Sequence, residues 1–371
     1  MIVFRHIFLL LIYIFPATSF SLRFLFEASI SLIRLDKIKS KYVFYSCLLI
    51  GLILVLLHIP KLFLFYGVDS FANIIRVSSV LVALFYLKGL SFKEIYTLLA
   101  SLIFLNVSVS LILFSDSEIG RNISSILNVK NLEETYGRVA GLFHNVSVNS
   151  YFSYVTCIYF FCCYLYNFKR NLSLILFMLA FVSLVMAQSR TGMILLIPSL
   201  TILFFYIKNI SLVSFMKSLF FLIVLSQIFF YFFEDIASSF YFIRQLSNIY
   251  ESGGVIGITS LSARFDLWEA YLGLQVDSVS SILFGLDKSV MSSISNTFDN
   301  DFIWILVNFG VFGIIVYLVM LASLFRKVTD LSGEILRICC IFSIPFSFMI
   351  GVISQPQASL LFLMFFVNVR K

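Results

Sequence analysis

The sequence predicts an all-α protein that crosses a membrane many times. Its 371 residues are 61% hydrophobic and only 12% charged, whereas a soluble domain is about 45–50% apolar and about 25% charged. Apolar segments of span length recur along the whole chain, and short loops containing Lys and Arg separate them. Because backbone in hydrocarbon must pair its own hydrogen bonds, we expect these segments to be α-helices.

Ten apolar segments are close to the ~20 residues that a membrane-spanning helix needs. They cover residues 42–59, 70–87, 92–114, 148–167, 171–188, 191–207, 212–233, 302–325, 335–354 and 358–369, of which the last is short. No repeat of fixed period and no low-complexity linker interrupts the series. We therefore expect residues 1–371 to form a single transmembrane domain.

The first forty residues are predicted to form a helical hairpin. Residues 6–20 are apolar and are interrupted by Pro16, while residues 20–35 are apolar but contain the charged residues Arg23, Glu27 and Arg34. The chain has twelve transmembrane helices if both halves cross the membrane, and eleven if the second half does not. The N-terminus also resembles a signal peptide, but an uncleaved first helix is the preferred interpretation in a chain with so many later spans.

The basic loops fall on alternate sides of the predicted helices. Lys and Arg concentrate on the cytoplasmic side of membrane proteins, so that side receives clusters such as Lys169–Arg170 and Arg326–Lys327. The 115–147 loop and the 234–300 loop, which precedes the last three helices, then both lie outside. Most of the net charge of +7 sits in the cytoplasmic loops, and so it does not indicate a nucleic-acid partner.

A glycine- and arginine-bearing stretch ends the 115–147 loop. It contains Gly137, Arg138, Gly141 and His144. Glycine lets the backbone turn tightly beside a ligand, and the arginine guanidinium is a forked donor that suits phosphate. Arg138 and His144 are therefore candidate substrate-binding residues. A structured loop with a surface arginine and a structural histidine explains the same pattern.

Two further arginines lie at or inside predicted spans. Arg190 occupies a very short outer turn between two helices, where a rigid cation suits a lipid diphosphate. Arg76 is about 8 Å from the outer end of its span, at ~1.5 Å per residue. Membrane arginines are costly enough that a function is expected, although both positions also fit a side chain that reaches lipid headgroups.

The large outer loop contributes Arg264, Trp268, Asp299 and Asn300. Arg264 and Trp268 are four residues apart, so they share one face of a predicted short helix. Trp268 suits stacking on a sugar or a place at the headgroup level. Asp299 and Asn300 precede the helix predicted at 302–325, where either residue can act as a cap. Capping does not exclude a catalytic role.

Several signatures of soluble enzymes are missing from the sequence. It has no Walker A, HExxH or GxSxG motif, which disfavours nucleotide hydrolysis, zinc proteolysis and serine hydrolysis. The six cysteines lie inside apolar runs without CxxC spacing, which predicts buried thiols. We expect no metal and no other cofactor.

Six short motifs follow one another along the chain. They are Gly137–Asn145, Ser189–Gly192, Ala263–Trp268, Phe284–Gly285, Asp299–Phe302 and Asn308–Gly313. In this order, on ten or more helices with a large loop before the last three, they resemble the O-antigen ligase and polymerase superfamily of bacterial membrane glycan enzymes. The resemblance covers most of the chain from residue 120 onward, while the first hundred residues match only in topology.

The resemblance implies a GT-C-like fold and an inverting, metal-independent glycosyl transfer on the periplasmic face of the bacterial inner membrane. The donor it implies is an undecaprenyl-diphosphate-linked glycan, and the acceptor is a second lipid-linked repeat unit. A chain-length regulator and a flippase of the same pathway are the implied protein partners. Ligases of the superfamily resemble one another in carrying His before Asn where this chain has Asp299 and Asn300, which favours a polymerase.

The expected chemistry assigns a role to each candidate residue. A lipid diphosphate leaves readily once its charge is neutralised, which is the role of Arg190 and Arg264. Asp299 is the candidate base for the acceptor hydroxyl. The candidate substrate-binding residues are Arg76, Arg138, His144, Trp268 and Asn300. A ligase that transfers finished polymer to lipid A core and a polysaccharide flippase or transporter stay as alternatives.

The alternation of basic loops makes a testable prediction about topology. A reporter that is active only in the periplasm should be active when it is fused after Ser280, because the positive-inside rule puts the 234–300 loop outside. A cytoplasmic reporter at the same position should be silent. Activity of the cytoplasmic reporter instead would overturn the side assigned to both long loops.

Overall fold

The computed structural model describes Leu87 and residues 90–115, 118–127, 138–143, 145–208, 259–276, 278–286, 300–326, 328–349, 351–353 and 355–369. All regular secondary structure in these residues is helical. The helices are α1 (Phe92–Phe114), α2 (Glu118–Leu127), α3 (Val146–Leu165), α4 (Arg170–Ala187), α5 (Arg190–Lys208), α6 (Thr259–Val276), α7 (Val279–Phe284), α8 (Asp301–Ala322), α9 (Leu331–Met349) and α10 (Pro356–Asn368). A 3₁₀ turn, Ser323–Phe325, continues α8.

The described helices agree with the predicted all-α membrane protein. By length and composition alone, six of them are long and apolar enough to cross a membrane: α1, α3, α4, α5, α8 counted across its break and with its 3₁₀ turn, and α9. Helix α10 is shorter. All seven predicted spans that fall in the described residues are helical, and α1 has the predicted bounds. The predicted hairpin, the spans 42–59 and 212–233, and all of 70–87 except Leu87 lie outside the described residues. The total of eleven or twelve helices therefore stays a prediction.

The described residues fall into two compact units. One, the central unit, extends from Leu98 to Ala263, and the other, the C-terminal unit, contains the residues up to Thr97 together with those from Arg264 onward. The boundaries cross α1 and α6. The domain assignment made from the sequence treated the whole chain as one transmembrane domain, and that assignment stays a prediction.

The middle of the central unit is α3. Asn145 caps its N-terminus by accepting a hydrogen bond from the Val148 N–H at 2.8 Å, and nearly all of its side chains are buried. The neighbouring helices α4 and α5 instead expose large apolar side chains such as Ile175, Met178 and Ile197. Helices that expose apolar side chains in this way suit contact with lipid.

In the C-terminal unit, α9 lies several residues earlier in the chain than the predicted 335–354 segment. Asp330 starts it by accepting a hydrogen bond from the Gly333 N–H at 2.7 Å. Glu334 and Arg337 then pair at 2.6 Å within the first two turns, so charged residues that hydropathy excludes belong to the helix. The helix ends at Met349, before the left-handed backbone of Gly351 (φ +73°).

Both predicted outer loops contain helix in their described parts. The 115–147 loop includes α2, which the sequence interpretation had not anticipated. The 234–300 loop includes α7 and all 18 residues of α6, which extends the short helix predicted around Arg264. Ser278 caps α7 by accepting a hydrogen bond from the Ser281 N–H at 3.1 Å.

The helix predicted at 302–325 is present as α8, but it is not straight. Gly310 interrupts it with φ +66° and ψ −163°. Phe302 and Tyr317 are fifteen residues apart, which is about 22 Å along a straight helix at ~1.5 Å per residue. Their rings nevertheless meet edge to face with centroids 5.1 Å apart. The two halves of α8 therefore fold back on each other at Gly310.

The reversal in α8 is also where the end of α7 docks. Leu286 N–H donates to the Val307 carbonyl at 2.6 Å. A Cβ added to Gly285 (φ +86°) would come within 2.5 Å of the Val307 oxygen, and one added to Gly310 would collide with the Leu283 carbonyl. Two of the sequence motifs, Phe284–Gly285 and Asn308–Gly313, thus contact each other through backbone that only glycine permits.

Gly310, which has a positive φ and crowded surroundings, and Gly273, which is helical with open space around it, provide a matched test. Gly310→Ala should destabilise the protein by more than about 1 kcal/mol, because an L-residue is strained at this φ and its Cβ would meet the backbone of α7. Gly273→Ala should be neutral or stabilising by up to ~1 kcal/mol, since Gly273 lies within α6 and a Cβ there meets nothing within 4 Å. Thermal unfolding in detergent measures both. Equal stability of the two variants would contradict the fold-back at Gly310.

Candidate functional site

An asparagine inside α1 organises a buried polar network in the central unit. Asn106 is fully buried, and its Nδ2 donates to Asn149 Oδ1 at 2.8 Å and to Ser183 Oγ at 2.7 Å. Its Oδ1 accepts from the Leu142 N–H at 2.9 Å. Since Asn149 belongs to α3 and Ser183 to α4, one carboxamide joins three helices and a loop.

The rest of this network is paired as well. Asn149 Nδ2 donates to the Val139 carbonyl at 2.9 Å, and the hydroxyls of Ser153 and Ser183 are 2.7 Å apart. Both ends of the Asn106 and Asn149 carboxamides are therefore in use. A buried polar group costs free energy unless it is hydrogen-bonded, so these contacts hold the backbone at Val139 and Leu142 in one place.

The network supports the stretch that begins at Arg138. Residues 138–143 are not helical, and Val139–Phe143 are buried while Arg138 is partly exposed. Asn106 lies eight residues before the end of α1, about 12 Å at ~1.5 Å per residue, so the loop enters the helical bundle. Gly141 adopts φ +62°, and a Cβ there would meet the Asn106 side chain. Irregular backbone at membrane depth needs such burial in protein.

This loop packs against the end of α4. Val139 N–H donates to the Met186 carbonyl at 3.2 Å, and Val139, Ala140 and Ala187 share one apolar cluster with Leu113 and Val146. Arg190 follows Ala187 by three residues. The two sequence motifs Gly137–Asn145 and Ser189–Gly192 therefore lie side by side in the central unit.

The turn before Arg190 is as short as predicted. Gln188, in left-handed backbone (φ +45°), and Ser189 alone separate α4 from α5. Ser189 Oγ accepts a hydrogen bond from the Gly192 N–H at 3.3 Å. A Cβ on Gly192 would come within 2.6 Å of Ser150 Oγ and of a Leu184 methyl group. This close approach fixes the start of α5, where Arg190 is the first residue.

The C-terminal unit holds the other candidate residues. Arg264 and Trp268 lie on the continuous helix α6, as predicted. Trp268 is partly buried, and its ring meets Phe265 edge to face at 5.3 Å. Asp266 and Glu269 are exposed.

Asn300 is the N-cap of α8, a role for which the sequence offered both Asp299 and Asn300. Its backbone is extended, and its Oδ1 accepts from the Phe302 N–H at 2.8 Å and the Ile303 N–H at 3.2 Å. Its Nδ2 donates to the Phe348 carbonyl at 3.2 Å. One side chain therefore caps the start of α8 and the end of α9 together.

The neighbouring Asp301 is fully buried and joins α8 to the turn between α9 and α10. Its Oδ2 accepts from the Val352 N–H at 2.7 Å, and the Ile353 N–H reaches both carboxyl oxygens at 2.8 and 2.9 Å. Asp299 and Asp301 are two residues apart, a spacing at which two carboxylates can share a metal ion. Both oxygens of Asp301 are already engaged by backbone. In the described part of the chain, no three His, Cys, Asp or Glu side chains are grouped as metal ligands.

Five of the predicted site residues have no described side chain. Arg76, His144 and Asp299 lie outside the described residues, and Arg190 and Arg264 are described only in their backbone. Their roles stay predictions. The expectation of buried thiols is confirmed for the five described cysteines, all of which are buried.

Sequence reasoning missed Asn106, Asn149 and Asp301, although each carries a visible signal. Asn106 and Asn149 are polar residues within helices that are otherwise apolar, and membrane helices hold such residues for pairing or for function. Asp301 is the first residue of α8, where its charge also suits the helix dipole. The partners of these residues in other parts of the fold, however, are 10 to 77 positions away in the sequence, so the sequence alone does not show these contacts.

No protein-family model, curated protein or solved structure matches this chain. The chemistry of the two groups of residues is therefore the ground for a function. In the central unit, Arg138 begins a loop that hydrogen bonds hold in place, and Arg190 follows a two-residue turn. In the C-terminal unit, Asn300, which follows Asp299 in the sequence, caps α8, and α6 carries Arg264. Rigid backbone bearing arginine is suited to hold an anion such as a phosphate ester.

Asp301 can be tested against a matched exposed aspartate. Asp301→Asn keeps the size of the side chain but places an NH₂ group against the N–H of Val352 or Ile353. We expect a loss of about 1–3 kcal/mol in the free energy of unfolding, the cost of an unsatisfied buried donor. Asp266→Asn, on the exposed side of α6, should stay within about 0.5 kcal/mol of the wild type. Thermal unfolding in detergent that gave the same midpoint for both variants would contradict a structural role for Asp301.

Proposed function

We propose that this protein is a membrane glycan polymerase. It joins oligosaccharide repeat units carried on undecaprenyl diphosphate into O-antigen or a related surface polysaccharide, on the periplasmic face of the bacterial inner membrane. The order of the six sequence motifs favours this function. The observation that carries the proposal is the packing of the loop after Arg138 against the end of α4, three residues before Arg190.

The physical reason lies in the charge of the substrate. A glycan carried on a lipid diphosphate presents its negative charge at the level of the headgroups, and the predicted topology puts the turn at Arg190 on the outer side. Two arginines on backbone that hydrogen bonds and close packing hold in place are preorganised for that charge. Their forked guanidinium groups match phosphate oxygens better than a point charge does.

In the proposed reaction, the acceptor hydroxyl displaces the lipid diphosphate from the anomeric carbon of the donor sugar. Asp299 takes the proton of that hydroxyl as the new glycosidic bond forms. The bond from the anomeric carbon to the diphosphate oxygen breaks, and Arg190 and Arg264 stabilise the departing charge. Attack from the face opposite the leaving group inverts the configuration. Asp301 is the poorer candidate for the base, because two backbone amides already engage its oxygens.

The remaining candidates bind substrate in this proposal. Arg138 and Arg76 add positive charge for the diphosphate, and Trp268 and His144 contact sugar. Asn300 acts by holding the chain next to Asp299, since its carboxamide is used at both ends. A GT-C-like arrangement of about twelve helices, a flippase that supplies the lipid-linked repeat and a chain-length regulator belong to the same proposal.

The test is an elongation assay with purified protein. In detergent, with a synthetic undecaprenyl-diphosphate-linked repeat unit, the wild type should produce a ladder of repeat units on a gel. Arg190→Ala and Asp299→Asn should lower the rate at least ~100-fold, as the loss of transition-state charge stabilisation or of the base requires. Arg190→Lys should recover only part, because a point charge replaces a fork. Lys208→Ala, at the other end of the same helix, should leave the ladder unchanged.

Two other outcomes would replace the proposal. Transfer of a preformed polymer to a lipid A core acceptor without any ladder would identify a ligase. Movement of the lipid-linked repeat across a vesicle membrane without a new glycosidic bond would identify a flippase. A wild-type ladder from Asp299→Asn would leave the polymerase but show that the base is another residue.

A further inference from the structure

The helix that carries Arg264 docks through an apolar face and through a buried polar side chain, Gln275, on that same face. Leu267, Tyr271 and Leu274 of α6 pack with Leu286 and Val307, and Tyr271 is fully buried. These three positions follow the i, i+4, i+7 spacing of one helix face. Apolar packing of this kind has no direction of its own, so it does not by itself fix how far α6 is rotated about its axis.

Gln275 adds directional hydrogen bonds to this contact. It lies on the same face, in the last turn of α6, and is 3% exposed. Its Nε2 donates to the Leu306 carbonyl at 3.2 Å and also to the Ser281 carbonyl. Both partners are acceptors, so the amide nitrogen is correctly placed between them. One side chain thereby ties α6 to α7 and to α8.

The reversal at Gly310 explains why carbonyl oxygens of α8 are available to accept these hydrogen bonds. A helix end leaves its last four carbonyls without intrahelical partners, and the first half of α8 ends at Gly310. Gln275 Nε2 reaches the carbonyl of Leu306, and the Leu286 N–H reaches that of Val307. The docking of α6 and α7 and the fold-back of α8 therefore depend on each other.

Gln275 is also an expensive residue to bury. Its Oε1 has no hydrogen-bond partner among the described residues, and an unsatisfied buried acceptor costs stability. A Leu or Met would fill the same space in this apolar cluster without that cost. The cost of the unsatisfied Oε1 is offset by the two directional hydrogen bonds of Nε2, which an apolar side chain could not make.

The register of α6 connects Gln275 with Arg264. The two residues are eleven positions apart, which is close to three turns of ~3.6 residues. They fall on the same side of one uninterrupted helix. A rotation of α6 at Gln275 is therefore a rotation of the same size at Arg264.

We propose that Gln275 is a positioning residue, whose hydrogen bonds across the α6–α8 contact set the orientation of the helix bearing Arg264. The functional part of this inference rests on the role proposed above for Arg264. The orientation of α6 itself does not depend on that role and can be measured separately.

A labelling experiment tests the orientation without any need for catalysis. Arg264→Cys is introduced together with Cys47→Ser, since the five described cysteines are buried. Its rate of reaction with a membrane-impermeant maleimide should change severalfold when Gln275→Leu is added. The exposed Glu269→Gln on the same helix should leave the rate unchanged. An unchanged rate with Gln275→Leu would overturn the inference.

The elongation assay tests the consequence for the reaction. Gln275→Leu should lower kcat about 10- to 100-fold, the usual effect of a small misplacement of a reacting group, with KM for the lipid-linked donor unchanged. In an Arg264→Ala background the same change should cause no further loss, because it acts through Arg264. Independent, additive losses would overturn the positioning role.

Two controls separate the remaining cases. Gln275→Met is the second apolar variant, and if neither it nor Gln275→Leu gives a folded, monodisperse protein, Gln275 is a core residue and the inference fails. If the wild type makes no polymer but the labelling rate still shifts with Gln275→Leu, the proposed function fails and the orientation of α6 by Gln275 stands.

Discussion

Hydrocarbon offers no hydrogen-bond partner, and that constraint governs the architecture of both units. In the central unit the carboxamides of Asn106 and Asn149 satisfy each other and hold the loop after Arg138 inside the bundle. In the C-terminal unit Asp301 pairs with the turn after α9. Irregular backbone is expensive at membrane depth unless protein groups pair with it, and in each of these two places a buried polar side chain supplies the pairing.

The sequence predicts the helices of this protein far better than their breaks. Length and apolarity suffice for α1, whose bounds match the prediction, because a span must be long enough to cross and regular enough to pair its backbone. They misplace α9 by several residues, since the Asp330 cap and the Glu334–Arg337 pair are local features that hydropathy does not register. Length and apolarity do not predict the break at Gly310, because a glycine within an apolar segment is compatible with a continuous helix and with a reversal.

The candidate site shows the same division. The sequence correctly predicts that Arg264 and Trp268 lie on one helix, and it limits the candidates for the N-cap of α8 to Asp299 and Asn300. Both predictions succeed because they depend on residues that are close together in the sequence. It does not pair Phe284–Gly285 with Asn308–Gly313, nor the loop after Arg138 with the end of α4, because these contacts bring together distant parts of the chain. Close packing explains several glycines of the motifs, because a Cβ would collide with neighbouring atoms at Gly141, Gly285 and Gly310. The presence of these glycines in the motifs is explained by architecture, whereas the role of the motif arginines belongs to the proposed function.

The fold-back of α8 has a consequence for the surrounding lipid. Residues 311–325, beyond the reversal, make a straight stretch of about 22 Å at ~1.5 Å per residue, shorter than the ~30 Å hydrocarbon core of a typical bilayer. Ile315, Leu318 and Val319 are exposed along this stretch, so they are available for contact with lipid acyl chains. A bilayer accommodates an apolar stretch of this length by thinning, by snorkelling of flanking side chains or by oligomerisation of the protein, at a fraction of a kcal/mol for each ångström. Lipid headgroups lie nearer to the midplane wherever a bilayer thins. Under the proposed function, the polar head of a carrier lipid beside α8 would then sit deeper than in the bulk membrane.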